Sequence, residues 1–498
     1  MTKRISRRAF LGGTAALMVA TPALANAPTR SLRPVARGEA RLAVAQTPPE
    51  ELIARAKLDG QVSYCLSDAD TGKIIEQYAP NVGLPPASVA KAITAAYALE
   101  VLGPEHRFRT RLLGSGPVQE GVLKGNLILA GGADPTLNTD GLYALSEGLK
   151  AAGIHTVEGD FQVYGGAVPM APVIDISQPD HVGYNPAVSG LNLNFNRVHF
   201  EWHREDSDYA VTMEARSSQH RPGVHFAKMQ VIERSMPVYT YKDSGAADEW
   251  TVARGALGKG GARWLPVRKP ELYAGEVFQT FARAQGIALR APKVIAELPK
   301  AAAELAGQDS GPLGDILRDM LKFSTNLTAE VVGLATTTAR SGKPVSVRAS
   351  AEKMSAWANA AFKTDGIALV DHSGLGDTSR VEAPDMVALL VEVRERLGLL
   401  PLLKEIPMRD ANRKVLKAHP ATVRAKTGTL NFVSGLAGYV DTTDGKALAF
   451  AIFAADTDRR DGLEKAERER PPGAASWNAR AKILQQQLID RWYILHAS

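Results

Sequence analysis

A serine and a lysine, Ser88 and Lys91, lie three residues apart and directly before a run of small apolar residues, 92–102. Residues three apart share one face of a helix, so a helix here would bring the Ser88 hydroxyl and the Lys91 amine together. A serine becomes a competent nucleophile when a base removes its proton. A lysine in a dry pocket has a lowered pKa and can be that base. The pair therefore predicts nucleophilic catalysis by a serine.

The serine–lysine pair by itself is weak evidence for catalysis. A serine followed three residues later by a lysine arises by chance about twice in a chain of average composition and this length. The structural alternative is a serine that caps a helix and a lysine whose amine reaches solvent. Two more polar motifs follow in order, and they add hydroxyl, amide and ammonium groups: Ser324-Thr325-Asn326 and Lys426-Thr427-Gly428-Thr429. All three motifs together favour acyl transfer.

The first motif is predicted to begin a buried helix. Prolines at 85 and 86 suit a helix entry, where a missing N–H costs nothing. Residues 92–102 carry no polar face, which is typical of a helix buried on all sides. Gly103-Pro104 then ends it.

The other motifs are placed on a loop and a strand of a mixed α/β (α+β) fold. Ser324 and Asn326 lie between two predicted helices, 312–322 and 327–340. Lys426 lies in a predicted strand, 423–430, and two more strands follow at 436–440 and 447–453. Because sequential strands usually pair, we expect an antiparallel meander in a sheet flanked by helices.

A β-rich insertion separates the first motif from the second. Strand-like segments dominate residues 107–292, so we assign them to one or more inserted domains. The core domain then consists of residues 49–106 and 293–498. The two ends of an insertion must lie close together, as they do in tolerated domain insertions.

The first 25 residues predict a signal peptide, because a basic start precedes an apolar stretch and the small-residue cleavage site Ala23-Leu24-Ala25. The segment Ser6–Leu11 resembles the twin-arginine export signal; an ordinary secretory signal is the alternative. Residues 26–48 are interpreted as a linker. We expect a bacterial periplasmic protein whose mature chain has no transmembrane anchor.

The net charge limits the functions that are expected, and the cysteine content limits how the fold can be stabilised. The net charge of +6 falls to +2 when the four positive charges of residues 1–25 are removed. The mature chain therefore gives no reason to expect nucleic-acid binding. Cys65 is the only cysteine, so no intramolecular disulfide can form and a large apolar core must hold the fold.

In their order, the three motifs resemble those of penicillin-binding proteins and class A β-lactamases. The segments Gly131–Leu137 and Asp371–Leu375, with about 230 residues between the first two motifs, resemble the D-alanyl-D-alanine carboxypeptidase/endopeptidase family, the low-molecular-mass class C penicillin-binding proteins. This resemblance covers essentially the whole mature chain. It implies a penicillin-recognising, transpeptidase-like core and serine-type D-Ala-D-Ala carboxypeptidase activity, with DD-endopeptidase activity as a second use of the site.

The resemblance also implies roles for the first two motifs. Ser88 attacks the carbonyl of the penultimate D-Ala of a peptidoglycan stem peptide, and Lys91 accepts its proton. Ser324 relays a proton to the leaving D-Ala amine, and Asn326 orients the peptide. Water then releases the acyl-enzyme.

The third motif is expected to bind the substrate. Lys426 should stay charged and bind the terminal carboxylate, with the Thr427 and Thr429 hydroxyls beside it, while Gly428 lets the substrate approach the strand. The backbone N–H groups of Ser88 and Thr429 are expected to form the oxyanion hole. A β-lactam should trap Ser88 as an ester.

Two positions depart from the family pattern. Thr325 stands where an aspartate is commoner, and Gly376-Asp377 stands where many members carry Ser-Arg. Arg380 is close but displaced, so recognition of the stem-peptide side chain should differ here.

Two other functions remain as alternatives. A catalytically silent cell-wall-binding scaffold would have no need of intact Ser88 and Lys91. A β-lactamase would need a dedicated hydrolytic water and base, and no residue is identified for them. We expect neither metal nor cofactor, because His199 and His203 alternate with apolar residues as in a strand rather than a zinc-binding helix.

Overall fold

A computed structural model describes residues 45–410, 414–417, 419–443 and 445–496. The predicted signal peptide, 1–25, and the predicted linker up to residue 44 lie outside the described residues. Four core elements precede the insertion: α1 (Pro49–Ala56), β1 (Gln61–Asp68), β2 (Ile74–Tyr78) and α2 (Ala90–Leu102).

Strands predominate in the stretch that follows α2: β3 (Arg109–Gly114), β4 (Val118–Gln119), β5 (Val122–Leu123), β6 (Leu127–Ala130), α3 (Thr139–Ala151), β7 (Thr156–Val157), β8 (Phe161–Tyr164), β9 (Arg197–Glu205), β10 (Asp208–Glu214), β11 (Ala227–Ile232), β12 (Tyr239–Asp243), β13 (Asp248–Ala253), β14 (Gly260–Pro266) and α4 (Pro270–Ala284), all within the predicted insertion, and then β15 (Lys293–Val294) and β16 (Ala303–Asp309). The chain then returns to the core through α5 (Leu313–Phe323), α6 (Asn326–Ser341), α7 (Val347–Phe362), β17 (Ile367–Ala368), β18 (Arg380–Val381), α8 (Ala383–Arg396), β19 (Lys404–Glu405), β20 (Thr422–Leu430), β21 (Val433–Asp441), β22 (Ala447–Ala455), α9 (Thr457–Asp461) and α10 (Ala474–His496).

A six-stranded antiparallel sheet forms the centre of the core, in the order β19-β20-β21-β22-β1-β2. Its β20-β21-β22 portion confirms the predicted meander. Side chains alternate between its faces: Ala437 and Tyr439 of β21 join the core beneath α2 and α5–α8, whereas Leu436 and Val440 pack with α1 and α10. The central strands β21 and β22 are therefore buried on both sides, which explains why they are apolar over most of their length.

The helix α2 is buried on every face, as predicted. Its residues Ala90–Leu99 are all buried, and it packs against α5, α6 and α7. Five alanines in this helix keep its side chains short, so neighbouring helices approach closely. The first turn is a 3₁₀ turn, Ala87–Val89, that leads into the α-helix. The first motif is therefore held rigidly at the end of a core helix.

The insertion has its own apolar core and several small sheets. The largest has the order β15-β8-β6-β3-β16. Because β16 returns antiparallel to β3, Asp309 lies opposite Arg109 and the ends of the insertion meet. The domain boundaries stay a prediction, and this pairing favours an insertion that ends after Asp309 rather than at residue 292.

No helix in the described ranges has both the length and the apolar composition needed to cross a membrane.

Candidate active site

The nucleophile pair has the predicted geometry. Ser88 lies in the 3₁₀ turn and Lys91 in the first turn of α2, and Lys91 Nζ lies 3.0 Å from Ser88 Oγ. Lys91 is completely buried. Burial lowers the pKa of its amine to about 8, against the opposing effect of the acids Asp371 and Glu330. A substantial neutral fraction of Lys91 therefore exists near pH 8, as a general base requires.

The second motif brings Asn326 to the same amine. Asn326 begins α6, and its Oδ1 accepts a hydrogen bond from Lys91 Nζ at 2.7 Å. Its Nδ2 donates to the carbonyl of Tyr184, at 2.9 Å, in the inserted region. Asn326 thus connects the base to the insertion, which then borders the cleft. The Tyr184 contact is not indicated by any sequence motif.

Ser324 and Lys426 form the other side of the site. Ser324 ends α5 in a left-handed conformation with a φ of 59°, and its Oγ accepts a hydrogen bond from Lys426 Nζ at 3.0 Å. Lys426 Nζ also donates to the Thr427 carbonyl at 2.7 Å. The turn between α5 and α6 therefore supplies the hydroxyl of Ser324, and a strand of the sheet supplies the amine of Lys426.

Burial and a neighbouring lysine both affect the ionisation of Lys426. Lys426 is fully buried in β20. Burial and the nearby positive charge of Lys91 lower the pKa of Lys426 well below its usual value. That Lys426 stays charged remains a prediction, and both of these effects act against it in the free protein. A bound carboxylate would act in the opposite direction.

Gly428 is also needed for packing within the protein, in addition to its predicted role at the substrate. A Cβ at this position would lie 2.5 Å from the Pro86 carbonyl oxygen and 3.1 Å from Ser88 N. The missing side chain therefore lets β20 pack directly against the turn that carries the nucleophile. Beyond Ala425, the strand has no partner on its β19 side among the described residues, so its free edge faces the cleft.

Ser88, Ser324, Asn326 and Thr429 all line one cleft of about 330 Å³. Thr429 is exposed at its wall and Thr427 is half-buried beside Lys426. The cleft thus brings together residues that are more than 330 positions apart in the sequence.

The rim of this cleft is formed by arginines that the sequence motifs do not include. Asp377 accepts a hydrogen bond from Arg460 Nε at 2.9 Å and another from Arg468. Arg460 lies in α9 and Arg468 in the segment between α9 and α10, and both line the cleft. Arginine is thus present near the position where many family members carry it, but it comes from a different segment. No spacing in the sequence could have revealed this.

Two acids behind the site received no role from the sequence motifs. Glu330 lies four residues after Asn326 in α6, and Asp371 begins the turn 371–376; both are buried. The four-residue spacing was a usable signal, because it places Glu330 on the same helix face as Asn326.

The histidine pair was correctly placed on a strand, β9. His199, Glu201 and Glu214 offer ligand atoms within 4.8 Å of one another. Arg216 donates to both of these carboxylates, at 2.7 and 2.8 Å, so its charge already balances them. His199 is buried, and its ring packs against Trp264.

The sheet with its flanking helices and the serine–lysine pair define a penicillin-recognising serine enzyme. The chain belongs to the D-Ala-D-Ala carboxypeptidase 3 (S13) family, whose model matches residues 48–470. This confirms the predicted family and enzyme class, a serine-type D-Ala-D-Ala carboxypeptidase and thus a hydrolase.

Individual relatives agree with this assignment. The chain is 28% identical to a D-alanyl-D-alanine carboxypeptidase of an Actinomadura strain, over 88% of this chain and 84% of that protein. It is 25% identical to a D-alanyl-D-alanine carboxypeptidase of Haemophilus influenzae, over 81% and 87% of the two chains. The crystal structure of penicillin binding protein 4 from Haemophilus influenzae covers 89% of this chain and 100% of its own, with a TM-score of 0.70 at 21% identity. This likeness confirms the predicted fold.

Proposed function

We propose that the reaction proceeds through an acyl-enzyme on Ser88, with Lys91 as the base. Ser88 Oγ attacks the carbonyl carbon of the penultimate D-Ala, and its proton passes to Lys91 Nζ. The observation that carries this proposal is the 3.0 Å contact between Ser88 Oγ, at the cleft, and the amine of the completely buried Lys91. The contact from Asn326 Oδ1 fixes the amine so that it needs no reorientation before attack.

Ser324 and Lys426 act in the second half of acylation, the departure of the D-Ala amine. The carbon–nitrogen bond of the substrate breaks as Ser324 delivers a proton to the departing D-Ala amine. Lys426 Nζ lies 3.0 Å from Ser324 Oγ and can replace that proton. Its charged form, favoured when the terminal carboxylate binds, holds the substrate between the Thr427 and Thr429 hydroxyls. Water then hydrolyses the Ser88 ester and frees the shortened peptide.

The oxyanion that forms during attack is assigned to the N–H groups of Ser88 and Thr429. Both residues line the cleft, and the close packing of Gly428 on the Ser88 turn holds their backbones together. Removing one such donor typically costs about 3 to 4 kcal/mol of transition-state stabilisation.

The proposed substrate is the D-Ala-D-Ala end of peptidoglycan stem peptides, as the names of the family and of the relatives indicate. Cross-linked peptides would use the same site, so DD-endopeptidase activity is part of the proposal. A β-lactam is the proposed covalent inhibitor; a β-lactam complex exists for the Haemophilus influenzae protein. The basic and apolar pattern of residues 1–25 supports periplasmic location through the twin-arginine route.

The test is the intact mass of the protein after incubation with benzylpenicillin, for wild type and Ser88→Ala. We expect a long-lived adduct on wild type only, with D-Ala release from a stem pentapeptide by wild type only. No adduct and no release by folded wild type would favour the silent cell-wall-binding scaffold. A short-lived adduct with rapid drug turnover would favour a β-lactamase.

A further inference from the structure

A layer of buried acidic groups lies behind Lys91 and contacts it through the backbone. Glu330 of α6 is completely buried, and its two carboxylate oxygens accept hydrogen bonds from the N–H groups of His372, at 3.0 Å, and Ser373, at 2.9 Å. The carbonyl of Ser373 in turn accepts from Lys91 Nζ at 2.7 Å. Two hydrogen bonds therefore connect Glu330 to the amine beside Ser88.

Asp371 holds the same turn from within. Its Oδ1 accepts from Gly374 N and its Oδ2 from Gly376 N, both at 2.6 Å. Gly374 has a φ of 75°, and a Cβ there would lie 1.8 Å from the carbonyl oxygen of Ala87. The turn is therefore fixed against the residue that precedes Ser88, and it has no room to shift.

We propose that Glu330 is a positioning residue for Lys91: it fixes the turn whose Ser373 carbonyl holds the amine against Ser88. This inference rests on the proposed function, in which Lys91 is the base. The site calls for a carboxylate, because two N–H donors converge on it and each needs an acceptor. A glutamine would satisfy one donor and turn its own NH₂ toward the other.

The charge of Glu330 acts on the same amine. Glu330 and Asp371 favour the ammonium form of Lys91, opposing the effect of burial. Burial raises the pKa of both acids, and the charge of Asp371 adds to this effect at Glu330, while hydrogen bonds and the positive charge of Lys91 favour the ionised forms. Removing the Glu330 charge should therefore lower the pKa of Lys91.

Three other ionisable groups face this layer. Burial lowers the pKa of His372 to about 3, so its ring is neutral and bonds Ser350. The Lys91 charge lowers the pKa of Lys426, and Asp175 of the insertion raises that of Asp371. None of these groups contacts the Glu330 carboxylate through a side chain. A substitution of Glu330 therefore affects Lys91 through the turn 371–376 and through the loss of the Glu330 charge.

The test measures the rate constant of Ser88 acylation by benzylpenicillin from about pH 6 to about pH 10 in Glu330→Gln. We expect at least a tenfold fall in the plateau rate, since a misplacement of about 1 Å can cost about a hundredfold. The acid limb of the profile should also move to lower pH. Glu271→Gln, a buried glutamate of the insertion that accepts from Ser189, is the matched control and should keep the wild-type profile.

Glu330→Asp separates the two effects, because it keeps the charge but cannot reach both N–H groups. We expect a lowered plateau with the wild-type midpoint, and this variant also serves if Glu330→Gln does not fold. A wild-type plateau in Glu330→Gln, or an equal loss at every pH with an unmoved midpoint, overturns the inference. If wild type itself forms no Ser88 adduct, the proposed function has failed instead.

Discussion

Lys426 Nζ lies 3.0 Å from Ser324 Oγ, and this contact joins a strand of the sheet to the turn between two helices. The same separation joins Lys91 to Ser88 on the other side of the cleft. Each hydroxyl is thus paired with one buried amine, and the positive charge of Lys91 lowers the pKa of Lys426. This arrangement suits a reaction in which one hydroxyl loses a proton and the other delivers one.

Replacing Lys91 by arginine should abolish acylation without removing the positive charge. A guanidinium stays protonated at any accessible pH and cannot accept the Ser88 proton. We expect a loss of about 100- to 10,000-fold in the acylation rate constant, the usual contribution of a general base. Fluorescent-penicillin labelling measures it. Lys353→Arg, at an exposed position of α7, is the control and should label like wild type; similar labelling of Lys91→Arg would disprove the role of base.

The acylation rate should rise with pH up to about pH 8. The Lys91 pKa is lowered to about 8 by burial, so below that pH the amine is protonated and cannot accept the Ser88 proton. At higher pH the base is fully available. For a stem peptide, KM should increase at the alkaline end as Lys426 loses its charge. Stopped-flow measurement of acylation and peptide kinetics on one protein sample would separate the effect of Lys91 from that of Lys426. An acylation rate that falls between pH 6 and about 8 would contradict the assignment of Lys91 as the base.

Gly428→Ala should impair both stability and acylation. The new Cβ would lie 2.5 Å from the Pro86 carbonyl oxygen, which is backbone and cannot rotate away. We expect a loss of about 1 to 3 kcal/mol in the free energy of unfolding, the usual cost of overpacking. Gly311→Ala, where a Cβ meets nothing within 4 Å, is the matched control. Thermal denaturation and labelling measure the outcome, and equal behaviour of the two variants would refute the close packing.

Asp377→Asn should destabilise the protein and alter peptide recognition. Asp377 accepts from Arg460, which is only 3% exposed, so its loss leaves a buried guanidinium without its acid. Breaking a buried pair costs about 3 to 5 kcal/mol, whereas an exposed pair is worth under about 1 kcal/mol. Asp315→Asn, in an exposed pair with Arg318, is the control.

The same variant gives a kinetic readout. KM for a stem pentapeptide should change more than the acylation rate with benzylpenicillin, because the arginines line the rim rather than the reacting centre. An unchanged KM for the peptide would show that the rim of the cleft takes no part in substrate recognition.

The amino-acid sequence determined the elements and the reaction class. Local signals were sufficient for the buried helix α2, because an apolar run without a polar face can be stable only inside a core. The order of three short motifs was sufficient for the family, which the family model confirms. Even Glu330 was accessible in principle, since four residues separate it from Asn326 on one helix.

Only the tertiary structure decided the contacts between distant segments. Two arginines that follow β22 contact Asp377, and Tyr184 of the insertion contacts Asn326, although no local pattern indicates either contact. The lowered pKa of Lys426 likewise depends on burial and on Lys91, 335 positions away in the chain. Hydrogen bonds and electrostatic effects depend on distance in space and on exclusion of water, and these quantities exist only once the chain has folded.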